Sequence, residues 1–350
     1  MDPAWPADVA AFAVTAAGRS FATTPAFRRA FDTHGPAWPA RVFGARAEGG
    51  RGVLVGVLAG NVERRFGGAW FRSLPFGAPA GPLFSPDLVP AERASVARAL
   101  WDALERQSKR EGWLGGDVTL SGPAAHDATL APGPGLGSLR HDEAHVIDVG
   151  AGFDAWRGSL RKRARQQFTR AERFGVSVRR GDAGADLARV HELHAEQARH
   201  WGVKTVRPLA FYRALLEPPT SAVLWVGQAE GRVECGVLAF VEPGETYVWW
   251  SGASIEARRR VAFPYLLMRV VAECGSARVS LGFSGGLHRL TDFKEQMGAE
   301  GVTVPILELI PRPRTPYHAL LVYARDRARE RARARAQARV HASAPAEAEA

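Results

Sequence analysis

Two copies of one α+β unit are what this sequence predicts, on three observations. Apolar residues fall in short runs bounded by glycine-containing turns, as antiparallel hairpins require. Stretches of helical periodicity separate those runs. The strand pattern of Ala40 to Gly60 also returns at Ala222 to Ser254, with Gly56-Val57-Leu58 and Gly236-Val237-Leu238 in matching places 180 residues apart.

Composition sets the bounds. With 350 residues, 46% apolar and 23% charged, the chain can bury one large or two medium cores and is not disordered in bulk. No window approaches the roughly 18 consecutive apolar residues of a membrane span, so an integral membrane protein is not expected. Asp2 and Asp8 stand where a secretory signal carries Lys or Arg. Cys235 and Cys274 are the only cysteines, which allows no disulfide framework or thiolate cluster and suits a reducing, cytoplasmic setting.

The elements follow in order. Within a first domain, residues 1–144, ARVFGARAEGGRGVLVGVLAG (Ala40 to Gly60) and FGGAWFRSL (Phe66 to Leu74) read as strand, Glu-Gly turn, strand, connection and strand. A helix spans Ala91 to Gly112. Ser121 to His145, rich in Gly and Pro and without periodicity, reads as a linker. A second domain, residues 145–311, opens on the strand His145 to Val149. Next comes a basic helix whose Leu160, Ala164, Phe168 and Ala171 share one face. A helix over Asp186 to His200 precedes the repeated strand set, a helix over Pro264 to Gly275 follows it, and the strand Val302 to Leu309 ends the unit. Residues 312–350 read as a basic helix and a disordered tail, because Arg alternates with Ala and leaves no apolar stripe to dock.

The formal charge of +10 is concentrated in two places. Arg157 to Arg180 holds nine basic residues against Glu172, and Arg325 to Arg339 holds seven Arg against Asp326 and Glu330. The rest of the chain is slightly acidic. Such localisation points to phosphate contact through Arg161, Lys162 and Arg165, or to a solvated helix face.

LRKRARQQFTRAERFGVSV (Leu160 to Val178), ARHWGV (Ala198 to Val203), YVWWSGAS (Tyr247 to Ser254) and DFKEQMGAE (Asp292 to Glu300) occur in that order. They resemble the second half of FemAB-like transferases. SLPFGAPAGPL (Ser73 to Leu83) is similar to a segment of the FemAB-like proteins of exopolysaccharide and protein-sorting clusters. The resemblance covers about residues 40 to 310 and implies two tandem GNAT-like domains, each a mixed, mostly antiparallel sheet flanked by helices. It implies transfer of an aminoacyl or acyl group to an amine, with the second domain catalytic. It also implies a role for Lys294, in the Phe293-Lys294 pair, toward phosphate-bearing substrate. The sequence departs from the family where Asp-Phe-Gly-Arg-Ser is expected, reading Ser280-Leu281-Gly282-Phe283-Ser284, and it lacks the founding members' coiled-coil hairpin.

Acyl transfer to an amine needs an oxyanion stabiliser and a proton acceptor. Lys294 supplies the charge; Asp292, His288 and Glu256 are candidate bases. A coenzyme A pyrophosphate is ordinarily held by a glycine-rich turn at a helix N-terminus. Here Ala257 to Val270 has no glycine, so Arg258, Arg259 and Arg260 would meet phosphate by charge alone. Tyr247 and Trp249 share a strand face, with Ser251 beyond them, and serve either the core or a ligand wall. His191 and His194 lack the partners of a metal site, and none is assigned. No bound cofactor is expected; the acyl donor, aminoacyl-tRNA or acyl-CoA, is a co-substrate, and the acceptor is a small-molecule, lipid-linked or sugar-linked amine of the cell envelope or a related metabolite. The competing readings are a plain acetyl-CoA N-acetyltransferase and a non-catalytic RNA-binding protein on a transferase fold.

Overall fold

The computed structural model describes residues 5–34, 38–47, 52–65, 68–73, 80–121, 123–133, 135–200, 206–285 and 287–310, with scattered positions from 316 to 331. Most of the Ser73 to Leu83 segment, Trp201-Gly202-Val203 and most of the arginine-rich tail lie outside the described residues.

In chain order the elements are α1 (Ala7–Thr15), α2 (Pro25–His34), β1 (Ala40–Arg46), β2 (Leu54–Arg65), β3 (Gly68–Arg72), β4 (Leu83–Phe84), α3 (Pro90–Glu111), β5 (Gly116–Thr119), α4 (Pro123–His126) and β6 (Gly137–Asp148). They continue as α5 (Phe153–Ser159), α6 (Lys162–Arg173), β7 (Ser177–Arg180), α7 (Ala185–His200), α8 (Leu209–Leu215), β8 (Ala222–Ala229), β9 (Arg232–Glu242) and β10 (Glu245–Ala253). Then come α9 (Ile255–Arg259), α10 (Ala262–Glu273), β11 (Arg278–Phe283), α11 (His288–Gln296) and β12 (Glu300–Leu309). No described helix is long and apolar enough to cross a membrane.

The chain divides into two compact units, one of Met1–Arg28, Pro36–Glu143 and Thr303–Ala350, the other of Arg29–Gly35 and Ala144–Val302. In the first, β1, β2 and β3 form an antiparallel meander. Helix α3 follows after β4; Pro90 opens it, Glu92 accepts from the Val89 N–H and Gly112 closes it in the left-handed conformation. Strand β5 joins β3 in parallel, and β12 pairs antiparallel with β5, Ile306 opposite Thr119. Phe71 stacks on Trp113 with ring centroids 4.9 Å apart, among Leu58, Val62, Leu100 and Leu104.

The second unit repeats the order. Strands β8, β9 and β10 form the meander, α10 follows, β11 runs parallel to β10, and β6 pairs antiparallel with β11. Strand β7 adds an edge on β8. Ala164, Phe168 and Ala171 of α6 and Leu266 and Val270 of α10 bury against Trp225, Val237 and Ala239. Helix α7 packs on β9 and β10 as well. The fold is thus α+β and tandem GNAT-like.

Two readings of the sequence need correction. The expected linker, Ser121 to His145, is largely structured among its described residues: Leu130 and Leu136 are buried in the first unit's core and the Trp101 indole donates to the Leu130 carbonyl at 2.9 Å. Strand β6 begins at Gly137, eight residues before the expected His145. The strand expected to end the second unit belongs from Thr303 onward to the first, because Ile306 to Leu309 complete the ladder on β5.

Candidate active site

Strands β10 and β11 run in register for three residues, Glu245 to Tyr247 against Arg278 to Ser280. Beyond them β10 stays with β9 as far as Ala253 and β11 stays with β6 as far as Phe283, so the strands part in a wedge. Both are irregular there, with register shifts between Val248 and Trp250 and between Ser280 and Gly282. Such bulges end pairing and re-aim side chains. Gly282 takes a φ of +66°, a conformation that L-residues rarely adopt, and a Cβ there would lie 3.1 Å from the Tyr247 hydroxyl.

Helix α11 returns Lys294 to the end of β11. The residue is 4% exposed, and its Nζ donates to the Gly282 carbonyl at 2.8 Å and the Phe283 carbonyl at 2.9 Å. An ammonium has three donors. Among the described residues Lys294 forms no ion pair, and these two carbonyls are the hydrogen-bond partners its Nζ has there. Burial disfavours the charged form and pulls the pKa down to about 8. Ser284, next along, is buried with its Oγ 3.3 Å from Nδ1 of His145, which sits opposite Gly282 on β6. Burial, reinforced by the Glu245 charge, pushes the Tyr247 hydroxyl above its usual range.

Tyr247 and Lys294 both adjoin Gly282 at the wedge, and the other candidates take different places. His288 and Asp292 are exposed on α11, whereas Lys294 is buried, and at about 100° per residue Asp292 points to the opposite side of the helix. The Phe293 ring packs on Phe263 at 5.9 Å beside the core. Trp249 lies against Phe240 and Phe211, with the Arg207 guanidinium 5.3 Å from its ring. The Ser251 carbonyl accepts from His194 Nδ1 at 2.8 Å, and His191 Nε2 donates to the Arg207 carbonyl at 2.7 Å, so both histidines tie α7 to its neighbours. Burial holds the His194 pKa down.

Of the three arginines after β10, Arg259 pairs with Glu256 at 2.7 Å and Arg260 with Glu230 at 2.9 Å, while Arg258 is exposed. Val261 then takes a φ of +54°, so the bend before α10 is made without glycine. Arg161 and Lys162 are exposed at the start of α6, and Arg165 donates to the carbonyls of Gly158 and Leu160, fastening the α5–α6 turn. Sequence reasoning did not single out His145, Ser284 or the parting of the strands. Ser284 stands inside the departing motif, and its position there was the one available signal.

The fold is the tandem GNAT-like one, and the comparisons with known proteins agree with it. Residues 158–288 match the acetyltransferase (GNAT) domain family. Among solved structures the chain is similar to FemX, at 14% identity and a TM-score of 0.62, over 85% of this chain and 94% of that one. It is similar to the C-terminal domain of a putative lysylphosphatidylglycerol synthetase from Agrobacterium fabrum, at 16% identity and 0.57, over 91% and 95%. A tandem GNAT protein from the clavulanic acid biosynthesis pathway matches at 13% identity and 0.50, over 88% and 94%. At these identities the likeness is one of fold. No curated protein matches the chain in sequence.

Proposed function

We propose that the second unit transfers an aminoacyl group from aminoacyl-tRNA to an amine of a cell-envelope, polysaccharide or related acceptor, forming an amide at the wedge between β10 and β11. The observation that carries this reading is Lys294, a buried ammonium held by two backbone carbonyls, with no carboxylate partner among the described residues. Attack of the amine nitrogen on the donor carbonyl carbon puts negative charge on the carbonyl oxygen. A preorganised cation in a water-poor site stabilises that charge most. The His145–Ser284 pair offers a buried acceptor for the amine's proton, whereas His288 and Asp292 face solvent. The names of FemX and of the lysylphosphatidylglycerol synthetase support aminoacyl transfer on this fold.

Transfer from acyl-CoA is the second reading, favoured by the left-handed Val261, which gives the turn before α10 a bend that glycine ordinarily makes. Transfer assays with charged tRNA and with acetyl-CoA, using Lys294→Met beside the wild type, test both. Loss of about 100-fold or more in kcat in a variant that melts cooperatively is expected. An unchanged rate would remove Lys294 from the chemistry, and turnover with acetyl-CoA alone would replace the first reading by the second.

A further inference from the structure

The stretch Arg157 to Arg180 carries nine cations, and among the described residues only Arg179 meets a carboxylate, that of Asp186 at 2.5 Å. Elsewhere arginines are commonly paired, as Arg41 with Glu111, Arg140 with Glu308, Arg189 with Glu192 and Arg269 with Glu273. Arg157, Arg161, Lys162, Arg163, Arg170 and Arg173 are all exposed. Like charges this close on one helix repel, and a bound polyanion relieves that repulsion.

A lipid surface fits this face poorly. A helix that lies in a membrane interface buries its apolar side there, but Ala164, Phe168 and Ala171 of α6 are already buried in the unit's own core. The apolar group α6 leaves at the surface is Phe174 at its end, 43% exposed, with the Arg170 guanidinium 5.3 Å from its ring. An exposed ring among cations suits a nucleic acid, whose bases stack and whose phosphates pair. The face also adjoins the candidate site. Gly298, four residues past Lys294, lies so close to the α5–α6 turn that a Cβ on it would be 2.7 Å from Leu160 Cδ2 and 3.0 Å from Trp156 Nε1.

We infer that the exposed face of α6 and of the turn before it is a docking surface for the phosphate backbone of RNA, which holds the body of an RNA-borne donor while its acyl end reaches the wedge. The choice of RNA as partner rests on the aminoacyl-transfer reading; the position of the surface rests on charge and exposure.

Fluorescence anisotropy with labelled, deacylated tRNA tests it in the full chain. Four phosphate contacts imply a loss of affinity of about 100-fold between roughly 50 and 200 mM salt. The combined variant R157Q, R161Q, K162Q, R163Q is expected to bind at least about 10-fold more weakly with a flatter salt dependence. R98Q with R106Q, on the exposed side of α3, should bind as the wild type does. The pair R170Q and R173Q provides a second set if the first variant fails to fold. Wild-type affinity and salt slope in either folded set, with charged-tRNA transfer intact, would overturn the surface and leave the transferase reading standing. Binding of phosphatidylglycerol vesicles through these residues without tRNA binding would overturn it in favour of a membrane. Absence of any tRNA binding beside turnover with acetyl-CoA would remove the aminoacyl reading as well.

Discussion

The Lys294 ammonium sets how the wedge responds to pH. Burial lowers its pKa from 10.5 to about 8, so the charged form is the strained one in the folded chain. If the charge stabilises the oxyanion, kcat falls as pH rises through about 8, and a pH–rate profile shows it; a rate that climbs through the same pH would instead make the neutral amine a base. Stability moves the other way. Between about pH 8 and 10.5 the unfolded chain binds more protons at this site than the folded one, so the cost of burying the charge is present in full below pH 8 and is relieved as pH climbs toward 10.5. Relative to Lys294→Met, the wild type should gain up to about 3 kcal/mol over that window, measurable by urea unfolding at several pH values. Lys294 was legible because the motif around it survives in the sequence. His145 was not: its role arises from Ser284, 139 residues away, and nothing local marks it.

At the scale of elements, the α5–α6 turn depends on Gly298. Its φ is +75° and a Cβ added there would crowd Leu160 and Trp156. Gly298→Ala should cost about 2–3 kcal/mol by strain and overpacking, read as a lower urea midpoint with an unchanged slope. A midpoint equal to the wild type's would show that the turn can yield. The helices were the most readable elements: α3 carries proline, glutamate and glycine at its ends, and α6 carries its apolar face at regular spacing. Strand β6 was half hidden, since Gly137 to Glu143 is largely polar and exposed and gives no apolar run. The α5–α6 break at Leu160 and the separate turn of α9 were likewise invisible, because both are set by packing and by backbone angles rather than by composition. The bulges that open the wedge belong in the same class.

For the whole molecule, the 180-residue repeat correctly announced two units of one design, but not where each unit takes its closing strand. That pairing is non-local, and no periodicity encodes it. The first unit is closed by β12, whose Leu307 and Leu309 are 0% and 4% exposed in its core. A fragment of residues 1–144 therefore lacks part of its core and presents the bare edge of β5. It should aggregate or remain molten by near-ultraviolet circular dichroism, and a peptide spanning residues 300–310 should restore order. A well-folded fragment would show the last strand to be dispensable.

During synthesis the consequence is one of timing. Ile306 leaves the ribosome about 190 residues after its partner Thr119, roughly 10–40 s later at ordinary elongation rates. Throughout that interval the amino-terminal half waits with an open flank, exposed to proteases and to strands of other chains. A message broken late in its reading frame would yield no usable half-protein, because the earliest part of the chain is finished by the latest.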